Sequence, residues 1–226
     1  MKRNKAFTLA EILVVIGIIG VVSALTLPNL NSDTDSLAYV SMFKKTSSNL
    51  QNALDLAKDK YGDYSSWSSS SATATQKAAL VGNRLSDYIL PMKVCGSTAS
   101  LKCFASSNVT AISGTTTVSS YDSSSETYKM ILKDGTSVAF SSNNLVQIDL
   151  DGPNKGYNSV GRDIFTIAIS NDGDLSFTAK TNLTAANVTA CRTGNSTYCS
   201  AWVDIFENND YINCATLAYD GNITCK

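Results

Sequence analysis

Asp149, Asp151, Asn154 and Asp163, all within "DLDGPNKGYNSVGRD", are the oxygen-bearing side chains that calcium takes as ligands. Their spacing is not that of an EF-hand, because Gly152 directly follows the second acid. Asp, Asn, Gly and Pro are also what a tight connection needs for its conformation alone. A structural turn is therefore the first reading of this segment and a calcium site the second. The six cysteines, Cys95, Cys103, Cys191, Cys199, Cys214 and Cys225, contain none of the short-spaced pairs of a zinc ribbon. Adjacent pairing would join Cys95 to Cys103, Cys191 to Cys199 and Cys214 to Cys225, one of many connectivities that six cysteines allow. The chain has no histidine, which removes the commonest general base and the commonest metal ligand together. Ser41-Met42-Phe43-Lys44 matches the S-x-x-K of serine acyltransferases, but the partner motifs of those enzymes are missing. With no nucleophile elbow and no phosphate loop either, the sequence does not read as an enzyme, and calcium is the only cofactor it suggests.

These residues lie in a chain of 226, 43% hydrophobic, which suffices for a real core. Three of the 18 basic residues, Lys2, Arg3 and Lys5, come before the first apolar run and leave 15 against 19 acidic residues, so no nucleic-acid footprint is expected. Asn108, Asn182, Asn187, Asn195 and Asn222 each begin an N-x-Thr, as a Ser/Thr-rich composition produces by itself.

The apolar run from Phe7 to Leu27 carries one charge, Glu11. A helix of about 21 residues spans roughly 31 Å, the thickness of a hydrocarbon core. An acid inside such a segment costs about 2.5 to 3.5 kcal/mol at mid-membrane, so Glu11 calls for a partner. A basic start, an apolar stretch and Val22-Ser23-Ala24 would also pass as a conventional signal peptide cleaved after Ala24, which would make the chain a secreted binding module or adhesin. A signal peptide has no use for the acid.

Ala6-Phe7-Thr8-Leu9-Ala10-Glu11 followed by an apolar helix resembles the N-terminus of type IV pilins and type II secretion pseudopilins, in which a membrane prepilin peptidase cuts before the Phe. Ala6 departs from the Gly that the family prefers. Pro28 stands where pilin helices commonly carry a kink-forming proline, counted from Phe7 as the new first residue. The resemblance implies a leader at 1–6 and cleavage between Ala6 and Phe7. It also implies N-methylation at Phe7, a membrane-spanning assembly segment over 7–30 and a periplasmic or extracellular domain over 31–226. The function it implies is that of a structural subunit, a precursor in the bacterial inner membrane and then part of a helical filament of copies or related pilins raised by an inner-membrane assembly platform. Glu11 would then pair with the amine that cleavage creates at Phe7 of a neighbour, or with its own. Pilins also often pin a C-terminal loop with a disulfide.

The elements that must position these residues are legible from period and punctuation. Pro28, with Gly17 and Gly20 before it, predicts a bend or local melting, and Asn31 to Asp35 offer N-caps for a second stretch to about Tyr61. There Leu37, Val40, Phe43, Leu50, Leu54, Ala57 and Tyr61 form one stripe with Ser47, leaving Lys44, Lys45, Asp55 and Lys58 solvated. Residues 62–126 read as a long surface connection containing a short helix from Gln76 to Leu90 that Pro91 ends. "TYKMILKDGTSVAFSS" predicts a hairpin about Asp134-Gly135, with "NLVQIDL", "DIFTIAIS" and "DGDLSFTA" as the following strands and a short helix about "AWVDIFENN". The fold class expected is α+β: one long N-terminal helix on an antiparallel meander of four or five strands, which is also the pilin architecture.

Overall fold

The computed structural model describes residues 8–99, 101–105, 109–114, 121–153, 155–177, 183–214 and 217; for residues 25–36 and 121 it describes the backbone only. The chain divides into two units, Met1–Ala38 and Tyr39–Lys226.

Helix α1 runs from Leu9 to Tyr61 as one element of 53 residues. The interruption expected at Pro28 and the fresh start at Asn31 to Asp35 do not occur. A proline removes one hydrogen bond and crowds one turn, whereas helix already formed on both sides needs no new nucleus. The C-terminal end at Tyr61 is as expected, with Gly62 following at φ +80°.

In the first unit the large apolar side chains of α1 from Leu9 to Val22 are exposed, Leu9 by 81%, and Ile12, Leu13, Val15, Ile16 and Ile19 likewise. Consecutive positions pass all the way round a helix, so this half is apolar on every side. Among the described residues no helix is long and apolar enough to cross a membrane. The run from Phe7 to Leu27 extends at both ends past the described side chains.

In the second unit Val40, Phe43, Leu50, Leu54 and Ala57 enter a single core, as the stripe predicts, whereas Leu37, in the first unit, is exposed. The lysines expected to be solvated take partners on the loops: Lys44 pairs with Glu207, Lys45 with Asp134 at 3.1 Å and Lys58 with Asp174 at 3.1 Å.

Among the described residues six antiparallel strands follow in simple sequential order: β1 (Lys93–Gly96), β2 (Thr127–Ile131), β3 (Ser137–Ser141), β4 (Leu145–Asp149), β5 (Ile164–Ile169) and β6 (Leu175–Ser176). The hairpin and the three later strands fall where the sequence places them. The additional strand is β1, four residues within the segment expected to be surface connection, too short to show a period. That segment is not wholly superficial, since Tyr64, Trp67, Phe104 and Val109 also join the core.

Tyr128, Met130, Val138, Phe140, Val146, Ile148, Phe165 and Ile167 share one sheet face by register. This face receives Phe43, whose ring lies 4.7 Å from that of Phe165. Thr127, Lys129, Ser137, Ala139, Gln147, Asp149 and Thr166 share the other face and are buried as well. Alternation of apolar and polar residues normally marks a face left to water. Here Lys129 Nζ instead donates to the carbonyls of Asp122 and Ser124 at 2.8 and 2.9 Å. The Thr166 N–H donates to Ser200 Oγ at 3.2 Å, on a helix that covers this face.

Among its described residues the second unit has three shorter α-helices: α2 (Ala74–Ile89), α3 (Ala185–Arg192) and α4 (Ser196–Phe206). The first and last answer to expected helices, and α3 was not foreseen. Thr73 and Gln76 form a reciprocal capping box at the start of α2, and Leu90 closes it in the left-handed conformation before Pro91.

Gly82 on α2 lies against the Tyr128 ring, where a Cβ would come within 2.1 Å of a ring carbon. Tyr128 is further held by its hydroxyl, which donates to Asn83 Oδ1 at 2.7 Å. Helix propensity alone favours Gly82→Ala by about 1 kcal/mol, but the overlap reverses the sign. Urea denaturation should show the variant destabilised by about 1 to 3 kcal/mol.

Candidate functional site

Two regions hold the candidate residues. At the start of α1, Glu11 occupies the N3 position of a capping box. Its Oε2 accepts from the Thr8 N–H at 2.8 Å and from the Thr8 hydroxyl at 2.9 Å, and the Glu11 N–H donates to Thr8 Oγ1 at 3.3 Å. Thr8 thus engages one carboxylate oxygen of Glu11 within the chain, and Thr8-Leu9-Ala10-Glu11 carries the T-x-x-E signature from which this cap could have been read. Ala6 and Phe7 lie outside the described residues, and Pro28 lies within α1 with its side chain outside them.

The second region is the connection from β4 to β5. It begins at the β4 end, where Asp149 stands opposite Ser137 on the buried polar face. The turn is tight: Asp149 Oδ1 accepts from the Gly152 N–H at 3.0 Å. Gly152 has φ +87°, and a Cβ there would lie 2.5 Å from the Gly135 carbonyl oxygen, so the loop rests on the β2–β3 turn. Asp163 closes the other end, its two oxygens accepting from the N–H groups of Asn158 at 2.6 Å and Ser159 at 2.7 Å. Both sets of hydrogen bonds fix the conformation of the connection.

The loop also gathers charge. The carboxylate oxygens Asp151 Oδ2 and Asp163 Oδ2 lie 1.9 and 2.7 Å from the place a Cβ would take on Gly156. Tyr39, from α1, donates its hydroxyl to Asp151 Oδ2 at 2.9 Å. Burial, and then the charges of Asp163 and Asp151, push the Asp149 carboxyl up to about 8. Burial likewise raises Asp163 to about 6, against the backbone N–H bonds that lower it. Of the expected ligands, Asp149, Asp151 and Asp163 are brought together and Asn154 lies outside the described residues. Among the described residues no three Asp, Glu, Cys or His side chains stand as a ready metal-binding group. Asn158, Ser137 and Tyr39 went unnoticed in the sequence. The last two are far from the loop in the chain and no local pattern points to them.

The cysteines follow adjacent pairing where they are described. Cys95 bonds to Cys103 and Cys191 to Cys199, while Cys214 is disulfide-bonded and Cys225 lies outside the described residues.

Residues 1–27 match the family model described as the prokaryotic N-terminal methylation motif. That is the prepilin motif of type IV pilins and pseudopilins, and the chain carries it. Neither the curated proteins nor the solved structures hold a match to the chain.

The raised carboxyls of Asp149 and Asp163 set a pH dependence. A carboxyl raised above its ordinary value holds a proton in the folded chain that the unfolded chain has released, so the stability it confers is lost as pH rises through the folded value. The charged groups acting on Asp149 are Asp163 and Asp151, both acidic, and among the described residues none of the three takes part in an ion pair. In chelator, the melting temperature of the full-length protein should therefore fall between about pH 5 and about pH 8. Asp149→Asn should flatten that fall.

Proposed function

We propose that the chain is a structural subunit of a type IV pilus-like or secretion-type filament. In this reading it enters the bacterial inner membrane as a precursor, is cut between Ala6 and Phe7 and methylated at Phe7 by prepilin peptidase. It is then raised into a cell-surface or periplasmic filament by packing its N-terminal helix against those of copies or related subunits. The observation that carries the reading is the prepilin motif at residues 1–27 on a helix whose first half is apolar on every side. Such a surface has two stable surroundings, lipid and other helices like itself. The rival, a secreted module cleaved after Ala24, would have its cut fall inside one continuous helix.

Glu11 fits this use. The Thr8 cap occupies Oε2, and Oε1 accepts no hydrogen bond among the described residues. Cleavage before Phe7 turns a neutral amide into an amine, and in an apolar environment the pairing of that cation with a carboxylate of the next subunit would offset the cost of both charges. Assembly would thereby depend on processing.

N-terminal analysis of the mature protein should find a chain beginning at Phe7 and heavier by one methyl group. A start at Leu25 would overturn the reading. Glutamine also serves at N3 of a capping box, so Glu11→Gln removes the charge and keeps the cap. It should leave insertion and cleavage intact and cut filament yield at least about tenfold, with partial recovery when wild-type subunits are co-expressed, as a lost interchain pair of about 1.4 kcal/mol or more requires. Normal filaments from Glu11→Gln alone would remove Glu11 from the assembly mechanism.

A further inference from the structure

A cleft of about 570 Å³ opens where the turn between α3 and α4 meets β4 and β5. Leu145, Gln147 and Thr166 line its sheet side and Gly194, Asn195 and Thr197 its helix side, and none of the residues lining it is charged. Two unmet needs come together there. Asn195 is the N-cap of α4, yet its side chain takes no hydrogen bond from the first turn. Its Oδ1 accepts instead from the Thr197 hydroxyl at 2.7 Å, and the Ser196 hydroxyl donates to Thr166 Oγ1. The N–H groups that open this 11-residue helix are thus left without a side-chain cap, at the end where the helix dipole favours negative charge. Gln147, on the opposite side of the cleft, is 6% exposed and its Oε1 has no hydrogen-bond partner. A buried acceptor in that state is costly. The cleft therefore calls for an acceptor at one side and a donor at the other. It is also built in advance: Gly194, at φ +121°, carries the chain round the corner without a side chain, and the Cys191–Cys199 disulfide ties the two helices together across it.

We propose that this cleft binds an acylamino carboxylate, the group found at the C-terminal end of a peptide, with its carboxylate on the first-turn N–H groups of α4 and its amide N–H donating to Gln147 Oε1. Backbone N–H groups and the helix dipole together can hold one negative charge. A phosphate or sulfate ester would gain less, because no lysine or arginine lines the cleft to meet a denser charge. A simple acid such as acetate would leave Gln147 unmet, since it brings no donor. The apolar side chains of Leu145, Val160 and Ala190 supply contact for a small aliphatic side chain, and the volume lies within the range of small-molecule sites. The assignment uses the second unit alone and stands apart from the filament reading.

The competing account is that water alone satisfies both sides. The two separate on the full-length protein in detergent, titrated with N-acetyl-alanyl-alanine and, as control, with the same compound closed by a C-terminal amide. Ligand-observed NMR should show saturable binding of the acid with a dissociation constant on the order of 1 mM, as suits a ligand of this size. The amide should bind at least about tenfold more weakly, having lost the charged acceptor. Asn195→Asp puts a fixed carboxylate at the N-cap. Its melting temperature should hold or rise, while binding of the acid weakens at least about tenfold. Gln147→Leu, which removes an acceptor that has no partner, should fold and bind about fivefold more weakly. N-acetylglycine, titrated alongside, tells the two sources of this chemistry apart: equal affinity assigns the site to a free acylamino acid, and weaker binding than that of the longer probe assigns it to a peptide end. Absence of saturable binding up to about 20 mM would overturn the proposal. So would equal affinity for acid and amide, or equal affinity in wild type and both variants.

Discussion

The stripe that α1 turns toward the sheet, with Phe43 seated on Phe165, is the contact on which the rest of the structure depends. Six strands in plain sequential order present a broad apolar face that short loops cannot cover, and a helix of several turns can. Once α1 lies there its charged side chains come within reach of the loops at the strand ends. Lys45 then meets Asp134 on the β2–β3 turn and Lys58 meets Asp174 on the β5–β6 turn. Exposed pairs of this kind add little stability individually.

Covering the second face has a different consequence. Thr127, Lys129, Ser137, Gln147, Asp149 and Thr166 lie on it beside the apolar Ile131 and Ile164, and burial obliges each polar one to find a partner. Lys129 does so through backbone carbonyls and Thr166 through α4. Asp149 and Ser137, at the end of the same face, do so only in part. Gln147 Oε1, in the middle of that face, is likewise without a partner, so the acidic loop continues a buried polar face that protein groups satisfy only in part. The disulfide Cys191–Cys199 ties α3 to α4 beside this face. Gly161, at φ +82°, lets the β4–β5 connection pass close to the Cys199 sulfur.

The two halves of α1 pose opposite problems. From Tyr39 onward its apolar stripe is satisfied within the chain, whereas the large apolar side chains from Leu9 to Val22 are exposed on every side. Glu11 sits at the front of that second kind of surface, and Thr8 holds its carboxylate in a defined direction. A carboxylate already oriented loses less freedom on taking a second partner than one on a free side chain. The cap and the proposed contact between subunits are thus complementary uses of the same residue.

The sequence by itself determined whatever rests on local period and punctuation: the prepilin string at the N-terminus, the helix end at Tyr61, the Asp134-Gly135 hairpin and the strands after it, and α2 ahead of Pro91. Each is decided by residues a few positions apart. It also held the Thr8-x-x-Glu11 cap, which the apolar context obscured. The tertiary structure decided what depends on residues distant in the chain. Helix α1 continues through Pro28 because helix on both sides outweighs one lost hydrogen bond. β1 became a strand by pairing with β2, although four residues show no period of their own. The polar face went inside because α4 and the segment near Asp122 cover it. Ser137 and Tyr39 joined the acidic loop because strand register and helix packing bring them there. Alternation states that a strand has two faces; only the elements packed on each decide which face meets water.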